Sequence, residues 1–301
     1  MRDGGLRGDN IIEDMSDLPD GIPTAPAREE ERGSVDGDRR GAKPPEAGRR
    51  IRRLLDRPPN GLLRGIETDV DIVYVVDCSA AMAPLMDRVR RFIPAFGDRV
   101  REELEAKNRR IRELRSRVVA FGDRFSDRAD PARPPIRESG FFRMPGERKA
   151  LETFLNGLEA AGGDAEASSA LEALRLAFHS PWKQLKEGGR GRQIVVLITL
   201  CRAQPPEDPG RNDPAFGPRV PRSIPEALEK LKEEYGDPSV FPFRNGVPSG
   251  RRLLLFTPAN AYPWDRMERW DAALHAPLTP GSGFPDPDIY MACSLISGDI
   301  A

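Results

Sequence analysis

The chain has 301 residues, and its 47 basic and 48 acidic side chains give a formal net charge of -1. This balance provides no bulk electrostatic attraction to nucleic acid. Three cysteines do not make a disulfide framework, and no segment approaches the roughly 18 apolar residues of a membrane helix. Because the first residues also lack the apolar core of a signal peptide, we expect a soluble, cytoplasmic protein that binds neither nucleic acid nor membranes.

The first part of the chain is rich in Gly, Pro and charged residues. Residues 1–47 contain too few apolar side chains to offset the entropy of ordering, so we predict a disordered tail. Residues 48–67 are predicted to form a short basic helix and a linker, with Ile51, Leu54 and Leu55 on one face. That helix would either dock on a partner or membrane surface, or pack on the domain that follows at 68–301.

Strands and helices alternate from Thr68 onward. We predict strands at 70–77, 117–122, 139–143, 193–199 and 252–256, helices at 84–109, 147–160, 166–179, 224–235 and 264–274, a Pro-rich loop at 202–222, and a last strand or helix at 289–294. This alternation predicts a doubly wound α/β domain with a mostly parallel central sheet and helices on both faces, as in Rossmann-like folds. In such sheets ligands bind beyond the carboxyl ends of the strands.

The ends of the predicted strands carry the candidate functional residues. Asp77 and Ser79 follow the apolar run at 70–76, and an acid and a hydroxyl at this spacing can face one metal ion. Asp123 follows the second strand, where it is either a further acid of this edge or a surface loop charge. Leu200 and Cys201 follow the strand at 193–199, whose unbroken apolar sequence is typical of burial on both faces.

Four segments together have the order and spacing of a known family. Residues 71–82 join a strand to the loop that contains Asp77 and Ser79, and 118–123 form the next strand. Residues 161–171 contain a Gly-Gly-Asp loop that opens a helix, and 194–200 end the strongest strand. Over roughly residues 68–300 the chain resembles von Willebrand factor A (vWA) domains of the bacterial cytoplasmic type.

The resemblance implies a metal-ion site that is incomplete in this chain. Family members hold Mg²⁺ through an Asp and two Ser of the first loop, a Thr of the second loop and an Asp of the third, all oxygen donors. Asp77 and Ser79 match, Ala81 replaces the second Ser, Asp164 stands at or beside the Thr position, and Leu200 replaces the last Asp. Asp77, Ser79 and Asp164 would hold Mg²⁺ weakly, and no cofactor is expected. The interpretation that we favour keeps Asp77 and Ser79 as caps of the following helix.

Other candidate chemistry rests on cysteine and histidine. Cys78 and Cys201 follow neighbouring strands in the family, where they would form a redox pair or a soft-metal site, or pack as small buried residues. His179 and His275 are predicted at helix ends, away from the strand ends where a Ser/His/Asp unit would need them. We therefore expect no enzyme activity.

The expected function is a noncatalytic protein–protein interaction module with a degenerate metal site. Bacterial vWA relatives look like accessory subunits of MoxR-type ATPases, or components of kinase-, tellurite-resistance- or conflict-linked systems, so the partner would be such a protein. One alternative is a genuine Mg²⁺-dependent binding module, and another is a redox or metal-dependent enzyme that uses Cys78 and Cys201. The residues expected to form the interaction rim are Ala81, Asp123, Leu200 and Cys201.

Overall fold

A computed structural model of the chain describes residues 67–106, 109–123, 134–162, 166–183, 190–206, 216, 220–236, 251–270 and 273–279. Chain contacts divide the protein into Met1–Pro58 and Pro59–Ala301, and all of the described residues belong to the second unit. The predicted tail at 1–47, the basic helix within 48–67 and the last element at 289–294 lie outside the described residues.

Strands and helices alternate along the described residues. The strands are β1 (Glu67–Asp77), β2 (Arg110–Phe121), β3 (Ile136–Glu138), β4 (Phe142–Met144), β5 (Ala167–Ser168), β6 (Arg190–Ile198), β7 (Arg202–Ala203), β8 (Arg251–Thr257) and β9 (Ala273–Pro277). The helices are α1 (Met86–Ala106), α2 (Arg148–Asn156), α3 (Ala170–Phe178), α4 (Ile224–Gly236) and α5 (Trp264–Met267), with a 3-10 turn at Ala80–Met82. None of these helices has the length and apolar character needed to cross a bilayer.

The main sheet has the strand order β3-β2-β1-β6-β8-β9, and β4 also pairs with β2. Strands β1, β2, β6, β8 and β9 are parallel, whereas the short β3 and β4 run antiparallel to β2. Val75 of β1 lies opposite Val119 of β2 and Leu197 of β6. These pairings confirm the predicted α/β fold with a mostly parallel sheet, and they place β1 beside β6 as expected.

Alternate residues of β1 pack on opposite faces of the sheet. Ile72, Tyr74 and Val76 belong to a core that includes α1 and α2. Val73 and Val75 belong to a second core that includes α3, α4 and α5. Because helices cover both faces, the central strands are apolar along most of their length, which is the pattern of a buried parallel sheet.

Charged residues extend β2 well before the predicted start at 117. Asp71 of β1 is buried and accepts two hydrogen bonds from Arg115 of β2, from Nε at 2.7 Å and from Nη2 at 2.6 Å. The Arg115 guanidinium also lies 4.4 Å from the centre of the Phe141 ring. These cross-strand contacts satisfy charges that an apolar strand pattern does not anticipate, so the strand begins at Arg110.

The predicted helix at 264–274 is wrong in its second half. Helix α5 ends at Met267, and Ala273–Pro277 form β9, parallel to β8. Pairing with β8 satisfies the backbone of this segment, and tertiary pairing of this kind overrides local helix propensity. His275 consequently lies on a strand and not at a helix end, whereas His179 directly follows α3 as predicted.

Candidate functional site

The ends of β1 and β6 meet at the point where the winding of the sheet reverses. From β1 the sheet continues to β2 on one side and to β6 on the other. Asp77 is the last residue of β1, and Thr199 directly follows the last residue of β6. Doubly wound sheets bind their ligands at this kind of crevice, so the residues at these two strand ends form the candidate site.

Asp77 lies at the base of this site and is fully buried. Its Oδ1 accepts a hydrogen bond of 2.8 Å from the backbone N–H of Ser79. Its Oδ2 accepts one of 2.5 Å from the Thr199 hydroxyl and a longer one of 3.3 Å from the Ser168 hydroxyl. Donors from three separate segments of the chain therefore converge on one carboxyl group.

Ser79 does not act as the predicted cap, and at this turn Asp77 contacts only the residue that precedes it. Ser79 precedes the 3-10 turn at Ala80–Met82, and its side chain makes no capping hydrogen bond there. Its hydroxyl lies 3.3 Å from the Cys201 sulfur instead. Asp77 accepts the backbone N–H of Ser79 just before the turn, so it stabilises the exit from β1.

Cys201 is tied to the network and to the helix that follows β8. Its backbone N–H donates to the Thr199 hydroxyl oxygen at 2.9 Å, and its carbonyl accepts from the Trp264 indole N–H at 3.0 Å. Both Cys201 and Trp264 are buried. Hydrogen bonds to Thr199 and Trp264 therefore hold the loop after β6 in place.

Backbone hydrogen bonds hold the first loop against the Gly-Gly loop. The Ala80 N–H donates to the Gly162 carbonyl at 3.0 Å, and the Ala161 N–H donates to the Cys78 carbonyl at 3.0 Å. The two loops that the family resemblance implicates are thus adjacent. Asp164, the third candidate metal ligand, lies outside the described residues.

Burial dominates the electrostatics of this site. It raises the pKa of the Asp77 carboxyl above its ordinary value, while the hydrogen bonds from Thr199 and Ser79 act in the opposite direction. Burial also raises the thiol pKa of Cys78 and of Cys201 to about 12, and the negative charge of Asp77 adds to both effects. Both thiols are therefore neutral near pH 7, which disfavours nucleophilic or redox chemistry.

The two thiols also have separate partners. Cys78 Sγ lies 3.9 Å from the Val76 carbonyl oxygen, whereas Cys201 Sγ lies against Ser79. Both are free cysteines. They pack as small residues at neighbouring strand ends, and their contacts give no sign of a shared reactive centre.

The described residues of the site do not fit Mg²⁺. They offer one carboxylate, already bonded to Ser79, Thr199 and Ser168, and a soft sulfur beside the Ser79 oxygen. Mg²⁺ prefers six oxygen ligands, keeps several waters and is bound by carboxylates, but Asp77 is fully buried. Among the described residues, no three His, Cys, Asp or Glu side chains come together as a metal-binding group.

The expected rim divides into exposed and buried members. Ala81 and Leu200 are half-buried, and Ala80, which precedes Ala81 in the sequence, is exposed. Cys201 and Asp123 are buried, so the alternative of Asp123 as a surface loop charge is wrong. Only the first group presents atoms to a partner, and its side chains are small or apolar.

A cleft of about 310 Å³ opens beside Cys78, at the carboxyl ends of β1 and β2. Phe121, Gly122 and Leu158 contribute to its walls, together with Arg137. The Arg137 guanidinium donates to the Gly157 carbonyl at 2.9 Å and so braces the wall of the cleft. This cleft extends the concave part of the site to the β2 side of Asp77.

Sequence reasoning missed Thr199 and Ser168, the two hydroxyls that donate to Asp77. A threonine at the end of an apolar strand and a serine before a helix are common, so neither residue type signals a site by itself. The positions were informative, because Thr199 ends the strongest predicted strand and Ser168 follows the Gly-Gly loop. Their convergence becomes visible only in the folded chain, where both hydroxyls reach the carboxyl group at the end of β1.

A second polar cluster, also missed, joins β8, β9 and the turn after α5. His275 Nδ1 lies 2.8 Å from Glu268 Oε2, and Nε2 lies 3.0 Å from Thr257 Oγ1. Hydroxyl, imidazole and carboxylate have the order of a nucleophile, a base and its orienting acid. Thr257 is fully buried, however, so its hydroxyl cannot reach a substrate, and the cluster ties β9 to β8.

Comparison with known proteins gives no family assignment. The chain matches no family model and no curated protein sequence. Among solved structures it matches the pilus adhesin SpaC from Lactobacillus rhamnosus GG, with 12% identity and a TM-score of 0.44, over 76% of this chain and 31% of the adhesin chain. The chain thus spans about a third of the length of that adhesin, and a similarity this low carries no argument about function.

Proposed function

We propose that this protein is a noncatalytic protein–protein interaction module of the vWA type, which binds its partner without a shared metal ion. The observation that carries the proposal is the burial and hydrogen bonding of Asp77. The residue that would bind a metal in the family is fully buried, and both of its oxygens accept hydrogen bonds from the chain itself. Asp77 therefore acts as a structural acid beneath the site.

The surface above Asp77 supports binding by apolar contact. We call Ala80, Ala81 and Leu200 the apolar rim. Two of these residues occupy positions where the family would supply an oxygen ligand, and neither side chain can coordinate a cation. A partner could therefore bind without coordinating a metal. Burial of apolar surface would stabilise the complex by about 25 cal/mol per Å². The family resemblance favours a partner from an ATPase-, kinase- or conflict-linked bacterial system.

A Mg²⁺-dependent binding module is less well supported, because two of the three hydroxyl groups near Asp77 already donate to its carboxylate. The oxygens of Ser79, Ser168 and Thr199 are the hard donors that Mg²⁺ accepts. Binding would require Thr199 and Ser168 to turn their protons away from Asp77. A redox enzyme based on Cys78 and Cys201 is less well supported, because both thiols hold their protons at neutral pH.

The apolar rim can be tested with a charged substitution and a matched control. Leu200→Asp places a charge in the rim, and Ile111→Asp places one at the opposite end of the sheet. Both native side chains are half-buried and pack against the same core. The binding assays would use purified proteins encoded beside this gene, with chelator present and absent.

We expect Leu200→Asp to weaken binding about tenfold or more, since a charge would be desolvated at the interface. Ile111→Asp should leave the affinity unchanged, and chelator should have no effect. Equal losses in both variants, sensitivity to chelator, or crosslinks confined to the amino-terminal edge of the sheet would each contradict the proposal.

A further inference from the structure

A second concave surface lies between α4 and the segment that follows β8. This groove has a volume of about 430 Å³ and contains none of the residues of the apolar rim. It is lined by Pro225, Leu228, Glu229, Lys232, Tyr262, Arg266, Arg269 and Trp270. We call it the α4 groove.

One face of α4 forms one wall of the groove. Its lining residues lie at positions 225, 228, 229 and 232, the spacing of a single helical stripe. Leu228 is 8% exposed and Trp270 of the opposite wall is 9% exposed, so both are largely covered by the protein. Tyr262 is 39% exposed and stands out as a large apolar residue on the described surface. The groove thus places an exposed aromatic residue beside a concave, partly apolar surface.

The charge of the α4 groove is positive. Lys232, Arg266 and Arg269 line it and are exposed, against one acid, Glu229. The closest partner of Arg266 is Asp265, at a long 3.7 Å. The groove therefore combines cationic groups with an aromatic wall in a chain whose overall net charge is only -1.

Three acids near the groove on the same segments are engaged elsewhere. Glu226 accepts the Arg222 N–H at 2.8 Å, and Glu268 lies 2.8 Å from the His275 ring. Glu234, two residues after Lys232 on α4, accepts from Arg175 at 2.9 Å. These contacts engage three nearby carboxylates outside the groove, so Glu229 is the one acid among the residues that line it.

We infer that the α4 groove binds an acidic peptide segment of a partner protein, one that alternates carboxylates with apolar side chains. Carboxylates would pair with the arginines, whose guanidinium groups suit bidentate contact. An apolar side chain would pack against Tyr262 and Pro225. Nucleic acid fits less well, because the groove offers three cations and not the extended basic surface that a phosphate backbone binds. This inference is independent of the proposed function, since the two sites share no residue.

The test uses the full chain and a fluorescein-labelled peptide of Glu-Leu-Glu repeats, with fluorescence anisotropy as the readout. Comparison probes are the Gln-Leu-Gln and Lys-Leu-Lys peptides of equal length and single-stranded oligo-dT. The groove variant is Arg266→Glu with Arg269→Glu. Its matched control is Arg99→Glu with Lys149→Glu, which reverses two exposed charges on α1 and α2.

We expect saturable binding of the acidic peptide that weakens about tenfold in the groove variant and is unchanged in the control. Affinity should also fall at high salt, because exposed charges are screened. Tyr262→Ala should weaken binding with the charges intact. If the groove variant is misfolded by circular dichroism, Tyr262→Ala alone decides the matter. The inference is overturned if the acidic peptide does not bind, if the Gln-Leu-Gln peptide or oligo-dT binds equally well, or if the control loses as much affinity as the groove variant.

Discussion

The Thr199 hydroxyl donates a 2.5 Å hydrogen bond to Oδ2 of Asp77, and this contact joins the carboxyl ends of β6 and β1. Both residues are fully buried. The same threonine oxygen accepts the backbone N–H of Cys201 at 2.9 Å. A single hydroxyl group therefore satisfies an acid on one side and a loop backbone on the other.

Replacing Thr199 should lower the free energy of unfolding, because its hydroxyl group takes part in both hydrogen bonds. Thr199→Val keeps the shape of the side chain but leaves Asp77 without its shortest donor and the Cys201 N–H without its acceptor. We expect a loss of about 3 kcal/mol in the free energy of unfolding, measured in urea. Thr199→Ser keeps the hydroxyl and should lose only about 1 kcal/mol for the missing methyl group. Equal stability of the two variants would show that the hydroxyl is unimportant.

The raised pKa of Asp77 predicts a pH dependence with a definite sign. Because the folded state holds the proton more tightly than the unfolded state, the group contributes stability at acid pH. That contribution is lost as the pH rises from about 3.9 through the folded-state pKa. Relative to Asp77→Asn, which does not titrate, the wild type should therefore become less stable as pH increases toward neutrality. A difference that grows in favour of the wild type over this range would contradict the prediction.

The charged cluster at the start of the sheet predicts the opposite trend. Burial acts to raise the pKa of Asp69, but hydrogen bonds from Arg112 and Lys183 outweigh it and hold the pKa below its usual value. The Lys183 ammonium similarly lowers the pKa of Glu113. Carboxylates of this kind stabilise the fold above the unfolded-state pKa of about 4, and that stability is lost as pH falls through the folded-state value.

Lys183→Met isolates this contribution. The stability difference between wild type and this variant should be largest near neutral pH and should shrink as Asp69 and Glu113 are protonated below about pH 4. Lys149→Met, which removes an exposed lysine from α2, should show a small, pH-independent difference. Urea unfolding across pH 3–7, a range set about the model carboxyl pKa values, provides the measurement. A constant difference for Lys183→Met would mean that its ammonium does not act through these two carboxylates.

The two thiols of the site should be unreactive in the folded protein. With a pKa of about 12, only about one thiol in ten thousand is ionised at pH 8, and the thiolate is the nucleophile. We expect slow labelling of Cys78 and Cys201 by Ellman's reagent under native conditions and fast labelling in denaturant. Cys293→Ser provides a background in which only these two thiols are counted. Rapid native reaction of either one would revive the enzyme hypothesis.

Periodic and apolar segments could be predicted from the sequence, whereas elements defined by long-range pairing could not. Strand β6 follows from the run at 194–198, and α1 follows from apolar residues at helical spacing. The start of β9 falls within the predicted helix at 264–274. Its strand character depends on β8, which lies beside it only in the folded chain.

The candidate site could likewise be predicted only in part from the sequence. Asp77 was identified because an acid at a strand end is conspicuous, and Leu200 because the resemblance marks its position. Thr199 and Ser168 could not be assigned a role, since a hydroxyl residue acquires one only through what it contacts. The burial of Asp123 also depends on the fold, because the sequence places it in a loop.

The central claim is that Asp77 is held by hydrogen bonds from its own chain and not by a metal ion. Isothermal titration of Mg²⁺ and of Mn²⁺ into chelator-treated protein tests it directly, with Asp77→Asn as the comparison. We expect no saturable heat from either protein at millimolar metal. Saturable binding by the wild type that disappears in Asp77→Asn would contradict it and would favour the metal-dependent module.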